Sequence, residues 1–346
     1  MEYSRGSEWR RWDLHVHTPC SIINANFGDN FDEYVKQLFT RAIENKIACI
    51  GVTDYFSIEG YKKIRDEYLS CESKMIELFP DESVRIEISK ILLLPNVELR
   101  LDCFVGDNQH AVNYHVIFSD QISTDLIEQK FFGALRVPKQ YAGGAMQQKE
   151  PITKEGIIRV GQHNREYLHE TGEDYKIGLR HITVSLSDIT YILRSDNTFK
   201  DKALLFVPSD EDLSRISWEG RNSTTRRLLI QTSDAIFASN PQTVKWALGE
   251  LDGEGGYQRH VNEFLKIRPT FSGSDAHEFD SMFNNAHRRY CWIKADPTFN
   301  GLRQTLFEPK ERVRINETQP ETKYPYYVIN SVKLVICPQF MVQEQC

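Results

Sequence analysis

The sequence contains no long hydrophobic run. Its longest apolar stretches, such as residues 91–94 and 203–207, are much shorter than the roughly 18 residues that a membrane-spanning helix needs. The opening MEYSRGSEWRRWD is charged and has no apolar core, so it does not resemble a signal peptide. We therefore expect no membrane association and a cytoplasmic location.

Paired cysteine motifs and an excess of positive charge are also missing. The seven cysteines are scattered without a CxxC pair, which is typical of reduced thiols in a cytosolic protein. Lys and Arg number 42 against 49 Asp and Glu, which gives a formal net charge of -7. Proteins that coat nucleic acid through their overall field are basic, so the composition disfavours that class. A local cationic groove that binds nucleic acid is still compatible with this net charge.

What the sequence does have is enough material for a folded core. It has 346 residues, of which 40% are hydrophobic, 11% aromatic and 26% charged. That balance is typical of a globular protein with one or two domains. Disordered, collagen-like and coiled-coil chains are excluded.

Strand and helix patterns alternate over the first hundred residues. WDLHVH alternates like a strand, FDEYVKQLFTRAIENK has one apolar face at helical spacing, and IACIGVTD is typical of a strand buried on both faces. IEGYKKIRDEYLSCESKMIELF is predicted to be a helix, and ILLLPNVELRLD another strand. This β-α-β-α-β order predicts a parallel sheet, open or closed into a barrel.

The rest of the chain continues the pattern with one interruption. Further strands are predicted in NYHVIFS, KALLFVPSD, DAIFAS, RPTFSGSDAH and RRYCWIKA. The polar stretch from about 120 to 200 is less regular, and we interpret it as an insertion with a helical piece around 156–168. From about residue 316 the sequence changes to a linker and then a strand. We therefore divide the chain into a barrel at 1–315 and a separate segment at 316–346.

Histidines and carboxylates recur at the predicted strands. His15 and His17 are two residues apart, so their side chains share one face of a strand. Asp275 and His277 form a second pair with the same spacing in GSDAH. Three further residues lie at the ends or starts of other predicted strands: Asp54, Glu98 and His115.

Together these seven residues predict a metal site. The C-terminal ends of parallel strands meet at one edge of an α/β sheet, where such folds gather their active-site groups. Imidazole and carboxylate ligands without thiolates favour Mn, Zn or Fe over calcium. A structural role stays open for two of them, since His115 could be a hydrogen-bonded core histidine and Asp54 a helix cap. A bridging carboxylate such as Glu98 could hold two ions for a phosphoryl displacement by a metal-activated water.

Five motifs carry a resemblance to a known superfamily. DLHVHTP, VTDYFSIEGY, NVELR, YHVIFS and GSDAH, in this order and at these intervals, resemble the motifs of the PHP (polymerase and histidinol phosphatase) superfamily. The resemblance covers about residues 10–315. It implies an α/β fold, a distorted (βα)7 barrel of the PHP type, with up to three metal ions at the C-terminal ends of its strands.

Longer stretches are more similar still to the TrlF family. They are WDLHVHTP with FGDNFDEYV, and GSDAH followed by RYCWIKADPTFNGLRQTLFEP. This resemblance implies a PHP barrel fused ahead of an AAA/SMC-like ATPase, with a role in bacterial defence against phage. The sequence contains no GxxxxGK[ST], so the ATPase would be a partner module or protein, and residues 316–346 would be its start.

The family pattern also assigns roles by position. The residues matching its ligands are His15, His17, Glu98 (as a bridge), His115, Asp275 and His277. Two positions depart from it: Tyr55 replaces the histidine of Thr-Asp-His, and Val207 stands where the histidine of a later Ala-His-Pro is expected. Neither is a suitable ligand at neutral pH. We therefore expect one to two divalent transition metal ions rather than three.

The leading hypothesis is a metal-dependent phosphoesterase, more specifically a nuclease acting on DNA or RNA. Asp275 or His277 would position the attacking water, and Glu98 would bridge the ions. Arg289 would bind phosphate oxygens, although a solvated surface arginine is an equal alternative. Two other functions stay open: a phosphomonoesterase acting on a small metabolite, and a degenerate barrel that serves as a docking or sensing module.

Overall fold

The computed structural model describes residues 8–105, 110–138, 149–209, 220–251, 253, 255–285 and 287–321. The strand predicted near the end of the 316–346 segment lies outside the described residues. The strands are β1 (Trp9–His17), β2 (Ile47–Tyr55), β3 (Leu92–Val105), β4 (His110–Phe118), β5 (Arg136–Pro138), β6 (Lys149–Pro151), β7 (Ala203–Pro208), β8 (Ala235–Phe237), β9 (Thr270–Phe271), β10 (Tyr290–Lys294) and β11 (Val313–Asn316).

Helices cover the connections between these strands. They are α1 (Phe31–Glu44), α2 (Glu59–Lys63), α3 (Glu72–Leu78), α4 (Glu82–Ser89), α5 (Thr124–Leu126), α6 (Lys154–Leu168), α7 (Asp174–His181), α8 (Leu186–Ser195), α9 (Gly220–Thr232), α10 (Pro241–Ala247), α11 (Gly256–Phe264), α12 (Phe299–Gln304) and α13 (Pro309–Arg312). In the described part of the chain, none of them combines the length and hydrophobicity that crossing a bilayer requires.

Seven strands form a ring. In hydrogen-bonded order, β1, β2, β3, β4, β7, β8 and β9 follow one another around the sheet. The chain just after β9 returns to β1, where Asp275 N donates to His15 O (2.9 Å) and His17 N donates to Ala276 O (3.1 Å). β10 and β11 extend the sheet from the first half of β1 in antiparallel orientation. The prediction of a distorted α/β barrel is confirmed.

One strand of the ring runs against the others. β4 is antiparallel to both β3 and β7. The prediction of a parallel sheet is wrong for this strand because only residues 106–109 separate β3 from β4, and parallel neighbours need a crossover of about a dozen residues or more. Glu98 lies inside β3 rather than at its end, directly opposite His115 of β4. His115 therefore reaches the site from the middle of an antiparallel strand rather than from a C-terminal strand end.

Apolar side chains from all seven strands fill the inside of the ring. They are Trp12, Leu14, Cys49, Leu94, Ile117, Leu204, Phe206, Ala235, Phe237 and Phe271. The outer faces pack against helices, as where Val52 of β2 meets Tyr34 and Leu38 of α1. Because the apolar filling occupies the barrel up to these positions, the C-terminal ends of the strands are left for polar side chains.

The stretch from 120 to 200 is an insertion between β4 and β7, as predicted. Helix α6 covers the helical piece expected around 156–168. Phe131 and Ile157 of the insertion join the same hydrophobic cluster as Val97 on the outer face of β3. The backbone of Val184 also bonds to β3, donating to Arg100 O over 2.8 Å. The insertion is thus packed onto the barrel wall.

The helix predicted from IEGYKKIRDEYLSCESKMIELF is broken into three pieces. These are α2, a π-helical segment at Ile64–Leu69, and α3. Cys71 has an extended backbone (φ -113°, ψ 95°), which a helix cannot continue through. β11 ends at Asn316, so it spans the boundary predicted between 315 and 316. The division into two units stays a prediction.

Candidate metal centre

A β-bulge in β1 turns two histidines into the barrel. The register with β2 shifts between Asp13 and Val16, where β1 has one residue more than its partner. Leu14 packs inside the ring, whereas Val16 packs against the helices outside it. His15 and His17 flank Val16 and therefore face inward. Without the extra residue, the alternation that Leu14 begins would turn them outward.

Four side chains each bring one ligand atom to a common point. They are His15, His17, Glu98 and Asp275, and their ligand atoms lie within 4.8 Å of one another. His15 Nε2 is 3.1 Å from Asp275 Oδ1 and 3.2 Å from Glu98 Oε2. His17 Nε2 is 3.3 Å and 3.2 Å from the same two oxygens. The two Nε2 atoms are 3.1 Å apart.

Five of the six separations among the four ligand atoms suit ligands that share one metal ion. Around an ion with bonds of roughly 2.0–2.1 Å, neighbouring ligand atoms lie roughly 3.3–3.4 Å apart. The five measured separations, 3.1–3.3 Å, are close to that value. Two imidazoles and two carboxylates without a thiolate suit Zn, Mn or Fe. The cluster can hold a divalent metal ion, while the identity and number of ions stay predictions.

Opposite charges in the cluster shift the pKa of each ligand. Burial lowers the pKa of His15, but the carboxylates of Asp275 and Glu98 outweigh burial and raise it to about 9. The same carboxylates raise the pKa of His17 against the effect of burial. In turn, the imidazoles hold the pKa values of Glu98 and Asp275 well below the usual range, although burial opposes this. A bound cation would take the place of the imidazole protons, so the donor set is charge-matched to a metal.

Asp13 ties the loop that carries Asp275 to β1. Its Oδ1 accepts hydrogen bonds from Ser274 N (3.1 Å) and His15 N (3.2 Å). Burial raises the pKa of Asp13 despite these donors. Asp275 has a φ of 49°, in the left-handed region that residues other than glycine seldom adopt. The tie to Asp13 helps hold this strained backbone, which presents the Asp275 carboxylate to the two imidazoles.

His115 sits beside the cluster with one nitrogen unsatisfied. Its Nδ1 lies 3.2 Å from Asn96 Oδ1, and the Asn96 amide donates to Leu14 O (2.8 Å) and Thr53 Oγ1 (3.0 Å). Those two donations make Oδ1 the acceptor, so His115 carries its proton on Nδ1. Burial lowers the pKa of His115 to about 3. Its buried Nε2 has no hydrogen-bond partner among the described residues, which is the state expected of a metal ligand.

Asp54 lies behind the cluster rather than in it. Its Oδ1 accepts from Thr18 Oγ1 (2.7 Å) and Ser21 Oγ (2.8 Å), and its Oδ2 accepts from Gly60 N (2.8 Å) in the first turn of α2. Burial raises the pKa of Asp54 to about 6, although these donors lower it. The bond to Gly60 satisfies a first-turn N–H of α2, whose N-cap residue is Ile58. A ligand role for Asp54 stays a prediction.

His277 lies at the edge of the cluster. Its Nε2 is 3.4 Å from Asp275 Oδ1, and its ring stacks on that of His17 at 4.0 Å between centroids. In the described part of the chain, its buried Nδ1 has no hydrogen-bond partner. The Tyr55 ring is 4.8 Å from His17 and 6.2 Å from His277. Val207 is buried in the hydrophobic cluster that packs outside the barrel ring, and its side chain offers no ligand atom.

A cavity of about 140 Å³ opens beside the metal ligands. Besides His15, Glu98, His115 and Asp275, its lining includes Asn113, Phe237, Ser239, Phe271 and Ser272. Arg289 is half-buried and donates from Nη1 to Ser239 O over 3.3 Å. The Arg289 guanidinium is therefore bonded to one residue of the cavity lining, and its role in binding substrate stays a prediction.

Four residues that support the cluster were not found by sequence reasoning. They are Asp13, Thr18, Ser21 and Asn96. Asp13 precedes His15 by two residues and Asn96 precedes Glu98 by two, so the spacing that paired His15 with His17 could have found them. Thr18 and Ser21 follow β1 in a short 3₁₀ turn, where no periodic pattern marks them.

Comparison with known proteins gives only distant similarities. No family model matches the chain, and no curated protein matches it. Among solved structures, it is similar to a protein from Bifidobacterium adolescentis that is provisionally assigned as a metal-dependent phosphoesterase, at 10% identity and a TM-score of 0.40, covering 87% of this chain and 97% of that one. It is also similar to an amidohydrolase from Chromobacterium violaceum, solved with sulfate and no metal, at 14% identity and a TM-score of 0.34, covering 78% of this chain and 88% of that one. Similarities at this level carry no argument about function.

Proposed function

We propose that this chain is a metal-dependent phosphoesterase. The observation that carries the proposal is the cluster of His15, His17, Glu98 and Asp275, whose ligand atoms lie within 4.8 Å of one another and which borders a cavity. A divalent metal bound there supplies a Lewis acid and lowers the pKa of water enough for it to attack phosphorus at neutral pH. The cavity supports this function because it gives an ester access to the ligands.

The chain's own side chains would handle the proton of the attacking water. His277 Nε2 lies 3.4 Å from Asp275 Oδ1, so the carboxylate can orient the imidazole. We assign one of these two side chains to accept that proton. The sequence predicts that Asp275 or His277 positions the attacking water.

A second ion is proposed between Glu98 and His115. The support for it is the buried Nε2 of His115, which no described residue pairs, together with the direct pairing of Glu98 and His115 across β3 and β4. Glu98 would then bridge the two ions, as two-metal phosphoesterases use a shared ligand to hold their ions a few ångströms apart. The total stays at one to two ions, of Mn, Zn or Fe.

For the substrate, we propose a phosphodiester in DNA or RNA. Arg289, bonded to Ser239 of the cavity lining, supplies a cation that can bind phosphate oxygens. The motif resemblance described above supports the same choice. It also underlies our proposals that the chain works with an AAA/SMC-like ATPase module or protein and takes part in antiviral defence.

A phosphomonoesterase is the second candidate, because a metal-activated water held at the same four ligands would cleave a monoester as well as a diester. A catalytically degenerate docking or sensing module is the third candidate, favoured by Tyr55 and Val207 at positions where the superfamily has histidines.

The experiment that decides among these is a cleavage assay with Mn²⁺. Labelled single- and double-stranded DNA and RNA would be tested beside bis-p-nitrophenyl phosphate (a diester) and p-nitrophenyl phosphate (a monoester). Asp275→Asn and a chelator-treated sample are the controls. Cleavage of nucleic acid by the parent alone supports the nuclease, and cleavage of the monoester alone supports the second candidate. Metal binding without any cleavage would contradict the phosphoesterase and favour the docking module.

A further inference from the structure

We propose that Ser21 and Asp54 are positioning residues that fix the ring of His17, and the nitrogen that carries its proton, for metal binding. This inference rests on the metal centre of the proposed function. It assigns Asp54 an indirect role, acting on His17 through the hydroxyl of Ser21, in place of direct contact with the ion.

The hydrogen-bond directions are set by what each group can donate. Ser21 Oγ lies 2.8 Å from His17 Nδ1 and 2.8 Å from Asp54 Oδ1. A carboxylate only accepts, so the single hydroxyl proton of Ser21 goes to Asp54, and Ser21 accepts the Nδ1 proton of His17. Thr53 O, at 3.2 Å, is a competing acceptor, but the bond to the charged carboxylate is shorter and stronger. In its neutral form, which a metal ligand requires, His17 is thereby left with its lone pair on Nε2.

That lone pair points at the cluster. His17 Nε2 is the atom that lies 3.2 Å from Glu98 Oε2 and 3.3 Å from Asp275 Oδ1. Histidine ligands commonly donate their other ring N–H to a carboxylate or carbonyl, which fixes the ring and makes the ligating nitrogen more basic. Here a serine hydroxyl stands between the imidazole and the carboxylate and performs the same task.

The surroundings hold all three groups in place. His17, Ser21 and Asp54 are fully buried, so water does not compete for their hydrogen bonds. The Asp54 carboxylate is also fastened by Thr18 Oγ1 and by Gly60 N, at 2.7 Å and 2.8 Å. Gly60 allows this approach because a Cβ at that position would come within 2.7 Å of Asp54 Oδ2. With three donors around it, Asp54 faces Ser21 rather than the ion.

The backbone beneath His17 is anchored separately. Tyr34 donates from its hydroxyl to His17 O over 2.8 Å, and His17 N donates to Ala276 O. Loss of the Ser21 hydroxyl therefore leaves the backbone of β1 in place and frees the ring of His17. This separation makes the inference testable without unfolding the site.

The test is the metal affinity of Ser21→Ala, measured by competition with a chromogenic chelator using Zn²⁺, and the visible spectrum of the Co²⁺-loaded protein. Ser233→Ala is the matched control, because it removes an equally buried hydroxyl that contacts Leu229 O and the Tyr114 hydroxyl and none of the metal ligands. We expect Ser21→Ala to bind Zn²⁺ roughly 10- to 100-fold more weakly than the parent, which is the usual effect of losing such a partner. Ser233→Ala should bind as the parent does, and only Ser21→Ala should change the Co²⁺ spectrum.

A second variant and a second readout guard against a folding defect. Asp54→Asn keeps the size of the side chain and, like Ser21→Ala, should lower the Zn²⁺ affinity. In the Zn²⁺-loaded parent, nitrogen NMR should find the proton of His17 on Nδ1, and this signal should move in Asp54→Asn. If both variants bind Zn²⁺ as tightly as the parent does, this inference is overturned and the proposed function is not. A parent that binds no metal would overturn the proposed function with it.

Discussion

The backbone of Gly273 lies directly against the side chain of His15. A Cβ at position 273 would come within 2.5 Å of the His15 Cβ and 3.3 Å of Asp13 Oδ1. The loop that delivers Asp275 can therefore close on β1 only because residue 273 has no side chain. Closure of the barrel and assembly of the ligand cluster depend on the same contact.

Gly273→Ala should disturb both the closure of the barrel and the assembly of the ligand cluster. The added methyl group cannot be accommodated without moving the loop, so we expect a loss of roughly 1–3 kcal/mol in the free energy of unfolding, the usual cost of overpacking. Zn²⁺ affinity should fall too, because Asp275 moves with the loop. Chemical denaturation and chelator competition measure the two effects. Ser281→Ala, which removes a hydroxyl whose exposed hydrogen bond goes to Glu278 O in the turn after this loop, is the control and should behave like the parent.

Asp275→Asn should remove most metal binding with little effect on folding. Asparagine tolerates the left-handed backbone (φ 49°) that Asp275 adopts, whereas it lacks the negative charge that the ion needs. We expect at least a tenfold loss of Zn²⁺ affinity, measured by titration against a chelator. Asp280→Asn, at a side chain that is 93% exposed, should leave affinity unchanged. Full metal occupancy in Asp275→Asn would refute the ligand assignment.

The purified protein should carry one to two equivalents of a divalent transition metal, as determined by elemental analysis. Tyr55 and Val207 stand at positions where the resemblance to the PHP superfamily implies histidine ligands, so we expect no third ion. A measured stoichiometry of three would show that this interpretation of the two replacements is wrong.

Asn96→Ala should lower stability and remove the second ion only. The amide bonds to Leu14 O and Thr53 Oγ1 and orients His115 through its Nδ1, and all three partners are buried. Leaving them unpaired should cost roughly 1–3 kcal/mol or more. Elemental analysis should show one equivalent at most, since His115 loses its orientation while the four-residue cluster keeps its ligands. The exposed Asn197→Ala is the control, and two retained equivalents in Asn96→Ala would refute this role of Asn96.

The metal-stripped protein should lose stability between about pH 6.5 and 9. Neighbouring carboxylates raise the folded pKa of His15 to about 9, so protonated His15 stabilises the folded state below the unfolded pKa near 6.5. That contribution disappears as the pH rises through 9, and His17 acts in the same direction. Over this window Glu98 and Asp275, whose pKa values are depressed, are ionised in both states and do not contribute.

Thermal unfolding at pH 6.5–9.5 in the presence of a chelator measures this dependence. His15→Asn should show a smaller decline than the parent, and the difference isolates the histidine from ionising thiols. With Zn²⁺ added, the decline should shrink, because the ion binds the neutral imidazoles and is favoured as pH rises. Identical curves for parent and His15→Asn would contradict the charge arrangement of the cluster.

Much of the site was accessible from the sequence because its signals are local. Spacing by two residues put His15 with His17 on one strand face, and the structure brings these two together with Glu98 and Asp275. The same spacing by two residues relates Asn96 to Glu98 in β3, and it could have identified Asn96 as well. Ser21 could not be found in this way, since its contact with His17 depends on a turn, and turns leave no periodic pattern.

The sequence by itself determined the seven strands of the ring, where the insertion lies, and which side chains could bind a metal, because periodicity and residue chemistry are properties of short stretches. The tertiary structure decided the direction of β4, the bulge that faces His15 inward, and the closure of the ring between His17 and Ala276. It also decided that Asp54 bonds to Ser21 while Asp275 joins the cluster. These outcomes depend on contacts between residues far apart in the chain, and a carboxylate looks the same in sequence whether hydroxyls or imidazoles surround it.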